Sequence, residues 1–124
     1  MAPVPLSTAG PALTPDVLAM ADTSELNPAI RKEARDFLRR NRNYLTGLPI
    51  DYVRQMLEWR IEGKSMRELH MAIVKEMTDD ELADYTRYAV ALWDDIKRTV
   101  GGVLATGLNY LFGKLLAQFD GEED

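Results

Sequence analysis

The sequence predicts an all-α protein: a small bundle of about five helices with an extended proline-rich N-terminal arm and a short acidic C-terminal tail. Three observations carry that prediction. Apolar residues recur at spacings of three and four, the period of an amphipathic helix, and no stretch alternates as a half-buried strand does. Capping residues followed by proline or acids mark one helix start after another. No Asn-Gly hairpin signal and no internal repeat is present. A chain of 124 residues has room for one domain and one modest core.

The arm, residues 1–13, holds three prolines and a glycine with no charge and no period. Proline fixes φ and removes a donor, so the arm stays mobile or is held by something else. The helical domain covers 14–119 and opens with Thr14, Pro15 and Asp16, an N-cap, first position and first-turn acid for a helix near 15–21. Asn27 and Pro28 repeat the signal for a helix over 28–45, with Ile30, Ala34, Phe37, Leu38 and Leu45 inward and Gly47 beyond its end. Leu48 and Pro49 make a turn, and a helix near 50–61 follows with Ile50, Val53, Leu57 and Ile61 inward and Gly63 past its end.

Ser65 and Glu68 have capping-box spacing and open a helix near 66–76 with Met66, Leu69, Ile73, Val74 and Met77 inward. The best-marked element is the central helix, 79–99. Thr78 and Glu81 cap it, while Leu82, Tyr85, Ala89, Leu92, Trp93 and Ile96 form its stripe. Asp79, Asp80 and Glu81 sit at the positive end of its dipole and Lys97 and Arg98 at the negative end. Gly101 and Gly102 break or kink the chain before a last helix near 103–119, with Leu104, Leu108, Leu111, Leu115 and Phe119 in register. Residues 120–124, DGEED, form the acidic tail.

Composition narrows function mainly by exclusion. With no cysteine there is no disulfide scaffold, thiol nucleophile, iron–sulfur cluster or covalent haem. A net charge of −5 argues against indiscriminate nucleic-acid binding. The first thirty residues contain no Lys or Arg, so no secretory signal is recognisable, and a cytoplasmic location, or one within a particle, is expected.

Two features remain as candidate interaction sites. Arg31, Arg35, Arg39 and Arg42 fall on one stripe of the 28–45 helix, and like charges four apart are mildly unfavourable unless an anion answers them. Phosphates, the acidic tail or another subunit would serve; Glu33 and Asp36 also lie close by. No aromatic residue lies on the arginine face as one would on a base-stacking platform, and the chain is acidic, so a protein partner is favoured over nucleic acid. The second feature is the face Gly102, Thr106, Asn109 and Gly113, whose small side chains let another helix approach. It lies in an apolar segment, 100–119, of nearly bilayer-spanning length but interrupted by Asn109, Lys114 and Gln118, so no clear transmembrane helix is expected. A core or subunit-interface helix is favoured there over a membrane-docked one, because interfacial helices carry basic residues along their polar face.

Catalytic constellations fail on inspection. Asp84 with Arg87, and Asp94 with Lys97 and Arg98, have salt-bridge spacing. His70 is the only histidine and Arg67 stands three before it, so a helical di-metal site cannot be assembled. GLNYLFGK, residues 107–114, is one residue too long for a phosphate loop and has Leu115 where a magnesium-binding hydroxyl belongs. Residues 58–85 resemble a helix-turn-helix, yet the reading helix would offer Asp79, Asp80, Glu81 and Asp84 to phosphates. MTDDELADYTRYAVAL, residues 77–92, resembles the C-terminal helix of class I c-type cytochromes, whose haem attachment requires cysteines this chain lacks. The expectation is a non-catalytic structural or protein-interaction subunit of a homo-oligomer or larger assembly, such as a virus or phage particle, without cofactor or metal. The alternatives are a membrane-associated protein using 100–119 and an accessory nucleic-acid binder using 31–42.

Overall fold

Thr14 starts the first helix by accepting a hydrogen bond from the Val17 N–H at 3.1 Å, and Pro15 supplies the preset φ of the first helical position. In this computed structural model residues 10–65, 67, 68, 71 and 78–120 are described, the side chains of 81–87 and 120 excepted. The chain is an all-α bundle whose described helices are α1 (Pro15–Ala19), α2 (Pro28–Arg40), α3 (Arg42–Leu45), α4 (Ile50–Glu62), α5 (Asp79–Thr99) and α6 (Gly102–Asp120). A 3-10 turn, Thr23–Glu25, lies between α1 and α2. Of the helix expected over 66–76, Arg67, Glu68 and Met71 are helical and the Glu68 N–H reaches Ser65 Oγ at 3.3 Å. Its inward residues, with His70, lie outside the described residues, as do the side chains of Glu81, Leu82, Asp84, Tyr85 and Arg87, most of the arm and most of the acidic tail.

The observed elements differ from the sequence reading at identifiable places. The helix expected over 28–45 is two helices, because Asn41 leaves helical geometry at φ −103°, ψ 13° and turns its side chain inward. The first helix stops at Ala19 rather than residue 21, and the 3-10 turn follows. Ile61, expected inward, is 45% exposed. The last turn of α4 ends beside the α5–α6 corner, where Arg60 instead meets the neighbouring backbone, its Nε donating to the Val100 carbonyl at 2.8 Å. Gly63 then adopts φ 78° and closes α4 with hydrogen bonds from Gly63 N to Arg60 O and Lys64 N to Trp59 O, a geometry that an L side chain resists. The central helix does not run through the glycine pair: α5 ends at Thr99 and α6 begins at Gly102.

The core lies between α4 and α6, with α2, α3 and α5 closing it. Val53, Met56 and Leu57 from α4, Leu108, Phe112 and Leu115 from α6, Phe37 from α2 and Trp93 and Ile96 from α5 are all buried. α2 packs closely on α6 at Gly107, where an added Cβ would stand 2.9 Å from Ile30 Cδ1 and 3.4 Å from Leu26 Cδ2. The end of the arm is held in place. Leu13 N–H donates to the Leu48 carbonyl, Gly47 N–H to the Leu13 carbonyl and Ile50 N–H to the Pro11 carbonyl, forming a single antiparallel bridge at Ala12 and Pro49. Leu13 itself has no exposed surface.

Two stability measurements test this packing. Leu13→Ala should cost about 2–5 kcal/mol in denaturant unfolding, the range for a truncated core leucine, and a cost typical of a surface position would remove the arm's anchor. At Gly107, alanine gains about 1 kcal/mol of helix propensity against a contact with the mobile end of Ile30, so Gly107→Ala should leave stability nearly unchanged. Gly107→Leu, which cannot be accommodated there, should lose about 1–3 kcal/mol, and a leucine variant as stable as the parent would contradict the close approach.

Candidate functional site

The basic stripe does not stay together. Arg31 turns toward the chain before α2, its Nη2 donating to the Ser24 carbonyl at 3.1 Å and the Leu26 carbonyl at 3.4 Å. Arg35, Arg39 and Arg42 are exposed and share one side of an open groove of about 440 Å³ with Leu38. The opposite wall comes from α1 and the segment after it, through Pro15, Leu18, Ala21 and Thr23. Between these walls the floor is aliphatic. Leu18, Ala21 and Leu38 are each half-buried against the core and each keep a face toward the groove.

The far wall is fixed at both ends. Leu13 anchors the start of α1, and the bonds from Arg31 fasten the 3-10 turn to α2. Asp22 accepts from the Ser24 N–H at 3.0 Å and from its hydroxyl, and these bonds hold its carboxyl below the usual range. Glu25 pairs with Lys114 of α6, a hydrogen bond that raises the lysine above its ordinary value. Along 19–23 the residues divide by parity: Ala19, Ala21 and Thr23 face the groove, while Met20 and Asp22 face the end of α6.

Charge in the groove is only partly answered. Arg39 meets Asp36 at 2.9 Å, an exposed pair worth at most a few tenths of a kcal/mol. The guanidinium groups of Arg35 and Arg42 have no ion-pair or hydrogen-bond partner among the described residues. Arg40, one residue beyond Arg39, points the other way, toward α5, and stays exposed along one side. Its Nη2 donates to Asp95 Oδ2 at 2.8 Å and to Thr99 Oγ1 at 3.1 Å, and its Nε lies 3.2 Å from each carboxylate oxygen.

Asn41 Nδ2 also donates to Asp95 Oδ2, at 2.7 Å, and to the Phe37 carbonyl at 3.1 Å. Burial pushes the Asp95 carboxyl up, but the hydrogen bonds from Arg40 and Asn41, with the arginine's charge, outweigh it and hold the group below the usual carboxylate range. Asp94 pairs separately with Arg98 at 3.3 Å, so these two neighbouring acids do not share a site.

The small-residue face is divided as well. Thr106, Asn109 and Gly113 border a second open groove of about 450 Å³ with Arg54, Tyr110 and Lys114, while Gly102 lies apart from it at the α5–α6 corner. Arg54 lies 3.6 Å from where a Gly113 Cβ would be and pairs with Asp51 at 3.6 Å. The close helix approach within the chain occurs instead at Gly107, on another face of α6. Among the described residues no helix is long and apolar enough to cross a membrane, and no group of three or more metal-ligating side chains converges.

The sequence reading does not place Pro15, Leu18, Ala19, Ala21 and Thr23 at the groove. Nothing in a helical period states which surface a short preceding helix will lie against. Fold and groove together define a small all-α bundle with a basic-rimmed, aliphatic-floored surface cleft. No protein-family model, curated protein or solved structure matches the chain.

The Asp95 cluster makes a pH-dependent prediction. With its folded-state pKa depressed, Asp95 contributes stability that is complete above the unfolded carboxyl value, about 4, and is lost as pH falls through the folded value. Asp95→Asn should therefore cost about 1.5–3 kcal/mol near neutral pH, the range for a hydrogen bond to a charged group. That penalty should shrink as pH drops below about 4. Urea unfolding of both proteins across pH reads it out, and a penalty independent of pH would contradict the assignment.

Proposed function

We propose that this chain is a non-catalytic protein-interaction subunit that meets other protein chains through the outer face of α2 and α3. The observation that carries the reading is the pair of guanidinium groups, Arg35 and Arg42, with no partner among the described residues, beside an aliphatic groove on a protein of net charge −5. Charged side chains placed so on a fixed apolar surface resemble the rim of a protein interface, where charge steers and orients while apolar contacts supply most of the affinity.

The apolar segment gives less support to a membrane role. Leu104, Leu108, Leu111, Phe112 and Leu115 are buried within the chain's own core, and the outward side of α6 carries Thr106, Tyr110 and Lys114. A nucleic-acid role draws on the same arginines, but among the described residues no aromatic ring borders their groove to stack a base.

A photo-crosslinking side chain placed at position 39 of the full-length chain in its native cell tests the reading. Nuclease-resistant adducts of discrete protein mass, diminished by joint Arg35→Glu and Arg42→Glu, are expected. Adducts that vanish on nuclease treatment, or none at all, would overturn it.

A further inference from the structure

We infer that the groove between α1 and α2 receives an acidic segment of another protein, one that places a large apolar side chain on the Leu18, Ala21 and Leu38 floor and carboxylates on Arg35 and Arg42. The inference rests on the interaction reading above and specifies the partner's chemistry.

Charge complementarity is the first argument. Arg31, Arg35 and Arg39 follow one another at spacings of four, an arrangement that weakens an isolated helix by a few tenths of a kcal/mol per pair. Within the chain it is relieved only in part: Arg31 is spent on two carbonyls and Arg39 on Asp36, leaving Arg35 and Arg42 without counter-charge among the described residues. A guanidinium offers a planar fork that suits carboxylates and phosphates alike.

The floor distinguishes those two ligands. A phosphate backbone running between the arginines would leave Leu18, Ala21 and Leu38 in water, and among the described residues the groove has no ring on which bases would stack. An acidic peptide with one apolar side chain satisfies floor and rim together. A volume of about 440 Å³ lies within the range of ligand-sized sites and takes such a side chain with the backbone that bears it.

The site is also largely preorganised. α1 is anchored through Leu13, the chain after it through Arg31 and Glu25, and α2 through Arg40 and Asn41, so docking need not first order its walls. Arg35 and Arg42 themselves are exposed and free to reorient onto a ligand.

Fluorescence anisotropy on the full-length protein tests the inference with four labelled probes. These are an acidic peptide with a central leucine, the same peptide with serine in place of leucine, its lysine counterpart, and a single-stranded DNA oligonucleotide of equal charge. Saturable binding of the leucine peptide is expected, with the serine and lysine peptides and the oligonucleotide each weaker by about tenfold or more. Joint Arg35→Glu and Arg42→Glu should weaken the leucine peptide by a similar factor. Lys32→Glu, on the same helix but outside the groove, should change it by less than about twofold.

Equal binding of the serine peptide would overturn the role of the floor, and tighter arginine-dependent binding of the oligonucleotide would assign the groove to nucleic acid instead. Self-association lost in the double reversal would make a second copy the occupant and overturn the inference as stated. Absence of peptide binding alongside persistent protein crosslinks from position 39 overturns the partner chemistry alone. Absence of both overturns the interaction reading with it.

Discussion

The carboxylate of Asp95 is the constraint on which the setting of α2 depends. A carboxylate taken from water demands compensation, and here both donors come from the junction where α2 ends, Arg40 and Asn41. Their engagement fixes the rotation of α2 against α5. Successive helical residues are turned by about 100°, so seating Phe37, Arg40 and Asn41 toward the bundle sends Arg35 and Arg39 to the far side and leaves Leu38 at the edge. The same bonds mark the point where the helix breaks, because Asn41 gives up regular geometry to place its amide between Phe37 O and Asp95. One buried polar cluster thereby sets both the docking of α2 and the outward aim of its basic side.

The sequence offers two candidate surfaces, and folding treats them differently. The apolar segment becomes α6, and its leucines are consumed by α4 and α2; its glycine at 107 admits Ile30 where a side chain would have held α2 away. The arginines are used one by one. Arg31 ties a turn, Arg39 answers Asp36, Arg40 meets Asp95 at the edge of the bundle, and Arg35 and Arg42 are left without a partner among the described residues. A net count of basic residues on the stripe overstates the charge available at the surface.

Most of the fold was legible because helix periods and caps are local. Thr14, Asn27 and Pro28 start helices where the sequence places them, and the inward residues of α5 at Ala89, Leu92, Trp93 and Ile96 are buried. What was not legible depends on distant partners. Asn41 reads as an ordinary helical residue until Asp95, fifty-four positions later, supplies a reason to break. Ile61 continues the period of α4 but faces outward, while Arg60 beside it takes the contact with Val100. The groove was half legible for the same reason: its arginines share one helical face, whereas its opposite wall is brought there by tertiary contacts of Leu13 and Arg31.

The bridge between Ala12 and Pro49 also determines how the molecule bears force. It closes the chain from Leu13 to Leu48 into a loop that contains α1, α2 and α3. Tension entering from the residues before Gly10 passes across the paired backbone at Leu13 and Leu48 into the first turn of α4, bypassing that loop. The groove therefore sits within the loop that the bridge closes, between α1 and α2.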